Sequence, residues 1–122
     1  MDVLLDTNFI LSCVKEKVDF LNADEFGTLI LPEEVEIEIM KVEKEGTKKD
    51  REAASLALKI IEKNIGKIKM IELDNKDVDS GIVNYVRKNK IIVATLDKEL
   101  RERIKGKAEI LGIKGKSQIG FI

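Results

Sequence analysis

Four acidic side chains stand where chemistry is easiest to place. Asp6 directly follows the apolar run Val3-Leu4-Leu5, and Asp97 follows shortly after the run Ile91–Ala94, with Thr95 between. Runs like these suit strands buried on both faces of a parallel sheet. Ligands of such sheets bind outside the carboxyl ends of the strands, so both acids are candidates for one shared crevice. Glu38 and Asp79 come from another periodicity. Val35, Glu38, Ile39 and Val42 stand at i, i+3, i+4 and i+7, and Asp79, Ile82, Val83 and Val86 repeat that spacing. In helices, both acids would sit on, or at the rim of, apolar faces turned towards the sheet. A carboxylate there is costly unless it is paired or bound to a metal ion.

Each acid also has a plainer reading. Asp6 could stabilise the start of the following helix, and Asp97 could cap its own. Asp79 could be first-turn helix charge. Glu38 could be solvated if Val35–Ile39, which also alternates like a strand, were one.

Other chemistries lack their residues. The chain has no His, and Cys13 is its one cysteine, which excludes a disulfide framework and a thiolate zinc site. The apolar neighbours of Cys13 predict a buried structural thiol. No Ser or Cys stands in an activated nucleophile arrangement. An aspartyl phosphatase wants a second acid two residues after its nucleophile, and here Asn8 holds that place. A phospho-receiver wants paired acids at the first strand's end, where Asp6 stands alone.

The elements that must position these acids follow from pattern and punctuation. Phe9, Ile10, Leu11 and Val14 predict a helix after the first strand, and Thr28–Leu31 predicts a second strand after Gly27. Pro32 with Glu33 and Glu34 reads as a helix start and Gly46 as its stop, so Val35–Ile39 is taken as helix. Thr47 with Asp50 resembles a capping box opening a long helix to about Asn64. A third strand is expected over Lys67–Leu73, a helix over Asp77–Lys88, a fourth strand over Ile91–Thr95 and a helix over Lys98–Ile104. Ala108–Ile113 and Gln118–Ile122 are strand-like, with pairing blurred by Gly112, Gly115 and Gly120. Strands alternating with helices predict a three-layer α/β/α sandwich around a mainly parallel sheet.

The 122 residues suffice for one domain over 1–122, and with 4% aromatics its core must be aliphatic. A surface rich in Lys and Glu leans towards a heat-adapted source. No apolar run approaches the ~20 residues that span a bilayer, and the start lacks signal-peptide features, so a cytoplasmic protein without membrane contact is expected. The net charge of −1 conceals an asymmetry. Residues 1–80 carry 12 basic and 19 acidic side chains, whereas residues 81–122 carry 10 and 4. An acidic pocket beside a basic surface is one arrangement of that charge, and scattered solvated charge is the other.

Taken together, the strand into Asp6-Thr7-Asn8, Val35-x-x-Glu38 behind a proline, Asp79-x-x-Ile82 and Ala94-Thr95-x-Asp97 resemble the PIN domain, in the family's order and over nearly the whole chain. Phe9 and Val93-Ala94-Thr95-x-Asp97-Lys98-x-Leu100 most resemble archaeal relatives of small-subunit ribosomal RNA processing nucleases, and VapC-type toxins share the same core. The resemblance implies a Mg²⁺- or Mn²⁺-dependent ribonuclease in which Asp6, Glu38, Asp79 and Asp97 bind metal, supported by Asn8 and Thr95. It also implies RNA as partner, an antitoxin or pre-ribosomal proteins as further partners, and a homodimer. A hard cation on oxygen ligands suits a chain without a histidine base. Arg87, Lys88 and Lys90 after Asp79, and Lys98, Arg101, Arg103 and Lys105 around Asp97, are the expected phosphate contacts. The competing reading is a catalytically silent PIN-like scaffold that docks on RNA or protein.

Overall fold

A computed structural model describes residues 1–115 and 117–122. Strands β1 (Asp2–Leu5), β2 (Thr28–Pro32), β3 (Ile68–Ile71), β4 (Ile91–Ala94), β5 (Glu109–Lys114) and β6 (Gln118–Phe121) form one sheet in the order β3-β2-β1-β4-β5-β6. The first five run parallel, and β6 returns antiparallel on β5. Val3 stands between Leu29 of β2 and Ile92 of β4, so the most apolar strands lie at the centre. Their side chains are buried on both faces, as a covered parallel sheet requires.

Helices α1 (Thr7–Lys15), α2 (Glu33–Glu45) and α3 (Lys48–Lys63) pack on one another, and α4 (Val78–Lys88) packs on α5 (Lys98–Ile104). Right-handed crossovers place the first group on one face of the sheet and the second on the other. The predicted α/β/α sandwich is therefore the fold observed. The ambiguous stretch Val35–Ile39 is helical, with Val35 and Ile39 buried on the sheet side. Thr47 caps α3 through the Asp50 amide, while the Asp50 carboxylate pairs with Lys15 of α1.

Strand β3 is shorter than expected, α3 ends where expected, and two 3₁₀ segments carry no signal in the sequence. Strand β3 stops at Ile71, because the Leu73 amide turns away from the sheet to the Glu34 carboxylate. Helix α3 ends before Gly66, with a 3₁₀ turn over Ile65–Lys67. A further 3₁₀ segment, Phe20–Phe26, carries no periodic signal and buries Phe20 and Ala23. The uncertain C-terminal pairing resolves as a hairpin in which Gly112 faces Gly120. Cys13 is buried and free, and burial pushes its thiol up to about 12. No helix among the described residues is long and apolar enough to cross a membrane.

Candidate active site

The chain changes direction at the centre of the sheet. From β1 it crosses to β2 on one side, and β4 later docks on the other, so connections diverge at the carboxyl ends of β1 and β4. That is where a doubly wound sheet opens a crevice. The Asp6 amide donates to the Ala94 carbonyl at 3.0 Å, which continues the β1–β4 pairing up to the acid itself.

Asp6 is 3% exposed, and both of its oxygens are engaged. One accepts the Thr7 amide at 2.9 Å and caps α1; the other accepts the Thr95 hydroxyl at 2.8 Å. Thr95 is fully buried, and its oxygen also accepts the Asp97 amide at 3.1 Å. Asn8 holds the same turn from α1, accepting the Leu96 amide at 2.9 Å. Asp97 caps α5 through the Glu99 and Leu100 amides at 2.9 and 3.1 Å. The plainer readings of Asp6 and Asp97 as helix caps are thus correct. They do not exhaust either group, since a carboxylate oxygen offers more lone pairs than one donor fills.

Glu38 and Asp79 enter from the two helical layers. Glu38 is exposed on α2, at the rim and not on the buried face, and accepts the Thr7 hydroxyl. Asp79 is half-buried in the first turn of α4, which Asp77 caps through the Ser80 amide at 3.3 Å. Electrostatics tie the acids together. Burial raises the Asp6 carboxyl to about 6, against the hydrogen bonds from Thr95 and Thr7, and the charges of Asp79 and Glu38 add to the rise. Asp79 is raised first by burial and then by Asp97, Asp77 and Glu38, with Arg103 opposing. Asp79 thus lies in the fields of Asp97 and Glu38, and Asp6 in those of Asp79 and Glu38.

They stop short of a ligand cage. Among the described residues no three acidic, His or Cys side chains stand close enough to hold one ion. Local bonds give a reason: Thr7 holds Glu38, and the α5 amides hold an oxygen of Asp97. Mutual repulsion acts in the same direction. The donor set itself, all carboxylate oxygen with Asp6 and Asp79 raised by burial, suits a hard divalent cation.

The fold has a counterpart among known families. A family model described as a PIN like domain matches residues 3–116. The chain belongs to the PIN-like domain family. That fold typically serves nucleases, which usually use divalent metals and generally bind RNA. No curated protein matches the chain.

The PIN-like frame divides the basic residues. Arg103 stands at the crevice, donating to the Ser80 hydroxyl at 3.3 Å and drawing Asp79 and Asp77 down. Lys98 and Arg101 lie on the flank of α5, lining a surface groove with Lys105, Ile110 and Ile122. Arg87 and Lys88 end α4, and Lys90 precedes β4 beside Met1 and Lys107. These three occupy the amino end of the strands, opposite the acids, and so do not flank the crevice as the sequence suggested. Eleven helical residues span about 16 Å, which carries the end of α4 away from Asp79. Thr7, Glu34 and Ser80 were missed in the sequence because each acts through a partner on another element or turn. Only the position of Thr7 directly after Asp6 was a usable signal.

Proposed function

We propose that this PIN-like domain is a divalent-metal-dependent ribonuclease, with Asp6, Glu38, Asp79 and Asp97 as the residues that hold Mg²⁺ or Mn²⁺. The observation that supports this best is Asp6: a carboxyl 3% exposed, raised to about 6, with two more acids adding to its rise. Burying this acid near like charges costs more than its two hydrogen bonds return, and a bound cation would relieve that cost. When bound, a divalent ion supplies Lewis acidity towards the phosphodiester and a nucleophile at neutral pH.

The chain's own residues do the rest. Thr95 and the Thr7 amide orient the Asp6 carboxylate, and Asn8 fixes the turn that presents Asp97. Thr7 holds Glu38 at the rim of the crevice. Arg103 is the cation placed to meet a phosphate at the crevice, while Lys98 and Arg101 line a separate groove on another face of α5. A groove of about 350 Å³ beside Glu38, lined by Thr7, Lys41 and Val42, leaves room for a flanking nucleotide. Hydrolysis there leaves 5′-phosphate and 3′-hydroxyl ends.

Labelled RNA incubated with Mn²⁺ and wild type, Asp6→Asn or Asp97→Asn tests this reading. Cleavage by wild type alone supports it. Metal-independent RNA binding by all three proteins, without cleavage, favours a silent scaffold. Within the nuclease reading, a cytoplasmic enzyme maturing ribosomal RNA beside pre-ribosomal proteins and a homodimeric VapC-type toxin share this chemistry. A small antitoxin gene immediately upstream decides for the toxin.

A further inference from the structure

The segment joining β3 to α4, residues 72–77, is fastened from both helical layers. From α2, the Glu34 carboxylate accepts the Leu73 amide with both oxygens, at 3.0 and 3.1 Å. From α4, Gly81 makes room for Leu73: a Cβ on Gly81 would stand 2.9 Å from the Leu73 Cβ and 3.3 Å from the Asn75 Cβ. Glycine inside a helix is less favourable than alanine, and this close approach is a reason for it here. Within the segment, Asn75 accepts the Asp77 amide at 2.9 Å, and Asp77 in turn caps α4. Asp74 takes φ +53°, a left-handed conformation that Asp tolerates better than most residues.

The two fastenings lie next to the acids. Glu34 stands one turn before Glu38 on α2, and Gly81 stands two residues after Asp79 on α4. The chain of contacts Glu34–Leu73–Gly81 therefore links the helix that carries one acid to the helix that carries the other, across the edge of the sheet. A carboxylate accepting an amide is a charge-assisted bond, stiffer than a neutral one.

We propose that Glu34 is a positioning residue, which holds Leu73 against Gly81 and so sets where Asp79 stands relative to Glu38. The role rests on the metal-dependent nuclease reading given above. Glu34 itself touches neither cation nor RNA.

The test compares Glu34→Ala and Glu34→Gln with Thr47→Ala, which removes the cap of α3, away from the segment. Each is measured for kcat and KM on labelled RNA across a Mn²⁺ titration, and for the rise in Tm that Mn²⁺ produces. Glu34→Ala is expected to need about tenfold more Mn²⁺ for half-maximal cleavage, the scale of losing a residue behind a metal ligand. Its kcat falls while KM for RNA stays within about twofold of wild type. Glu34→Gln keeps an acceptor oxygen and recovers most of the loss; if Glu34→Ala does not fold, Glu34→Gln carries the comparison with a smaller shift. Thr47→Ala lowers Tm without changing the Mn²⁺ requirement. An active wild type with unchanged Mn²⁺ requirement and kcat in both Glu34 variants overturns the positioning role and leaves the nuclease reading standing. A wild type that neither cleaves RNA nor responds to Mn²⁺ overturns both.

Discussion

Asp6 does two things at once. One oxygen caps α1 and the other anchors Thr95, yet burial and neighbouring acids hold its carboxyl near 6. Asp6→Asn separates these roles. The amide oxygen keeps the Thr7 bond, and the amide nitrogen can donate to Thr95, whose hydroxyl turns towards the Asn8 oxygen 3.4 Å away. Packing survives and the buried charge goes. We expect Asp6→Asn to abolish cleavage and to raise the metal-free Tm at pH 7, by calorimetry; a Tm well below wild type makes Asp6 a structural group only. Thr95 is the reverse case, a neutral side chain whose loss costs the site its frame. Thr95→Val leaves the Asp97 amide without its acceptor and should lose about 1–3 kcal/mol in urea titrations, whereas Thr95→Ser should stay close to wild type and keep activity.

At the level of elements, the start of the sheet depends on a close approach that no periodicity announces. The Met1 carbonyl accepts the Thr28 amide at 3.2 Å, and a Cβ on Gly27 would come within 1.9 Å of that same oxygen. Gly27→Ala must push β1 off β2, and β1 carries Asp6. We expect a loss of about 3 kcal/mol, read as a lower urea midpoint at unchanged m. Much of the rest was legible. The central strands and amphipathic helices announce themselves because burial on two faces or one leaves a period in the chain. The end of β3 was not legible, because Glu34 takes the Leu73 amide from 39 residues away. The 3₁₀ segment Phe20–Phe26 buries two residues without a period, and the C-terminal hairpin sets Gly112 against Gly120, where no side chains mark the register. In the site, strand-end position pointed to Asp6 and Asp97 and helical periodicity to Glu38 and Asp79, and the fold does bring these four to one end. Arg103 was legible as a basic residue near Asp97, the partners of Thr7 and Ser80 needed three dimensions, and chain proximity misplaced Arg87 and Lys88 because a helix separates its ends.

For the whole molecule, these acids make metal-free stability depend on pH in an unusual direction. Asp6 titrates near 3.8 when unfolded and near 6 when folded, and Asp79 is also raised. The folded state therefore binds more protons between those values. The resulting stability is fully present below about pH 4 and is lost as pH rises through 6; for Asp6 its upper bound is about 3 kcal/mol. Asp50 and Asp77, lowered by hydrogen bonds from Lys15 and Ser80, act in the opposite sense at lower pH. A divalent cation removes the penalty where it is largest. At pH 7, Mn²⁺ in a hundredfold excess over its Kd should stabilise by about 2.7 kcal/mol, near 10 °C in Tm at about 4 °C per kcal/mol. At pH 5 the proton competes for the same oxygens, and the Mn²⁺ shift should shrink to a small part of that. Calorimetric scans at both pH values, with and without Mn²⁺, check the two slopes together. Wild type should lose Tm from pH 5 to 7 without metal and regain it with metal, and Asp6→Asn should do neither. A wild-type Tm that climbs steadily from pH 5 to 7 and ignores Mn²⁺ would mean that the acids share an end of the sheet without sharing a cation.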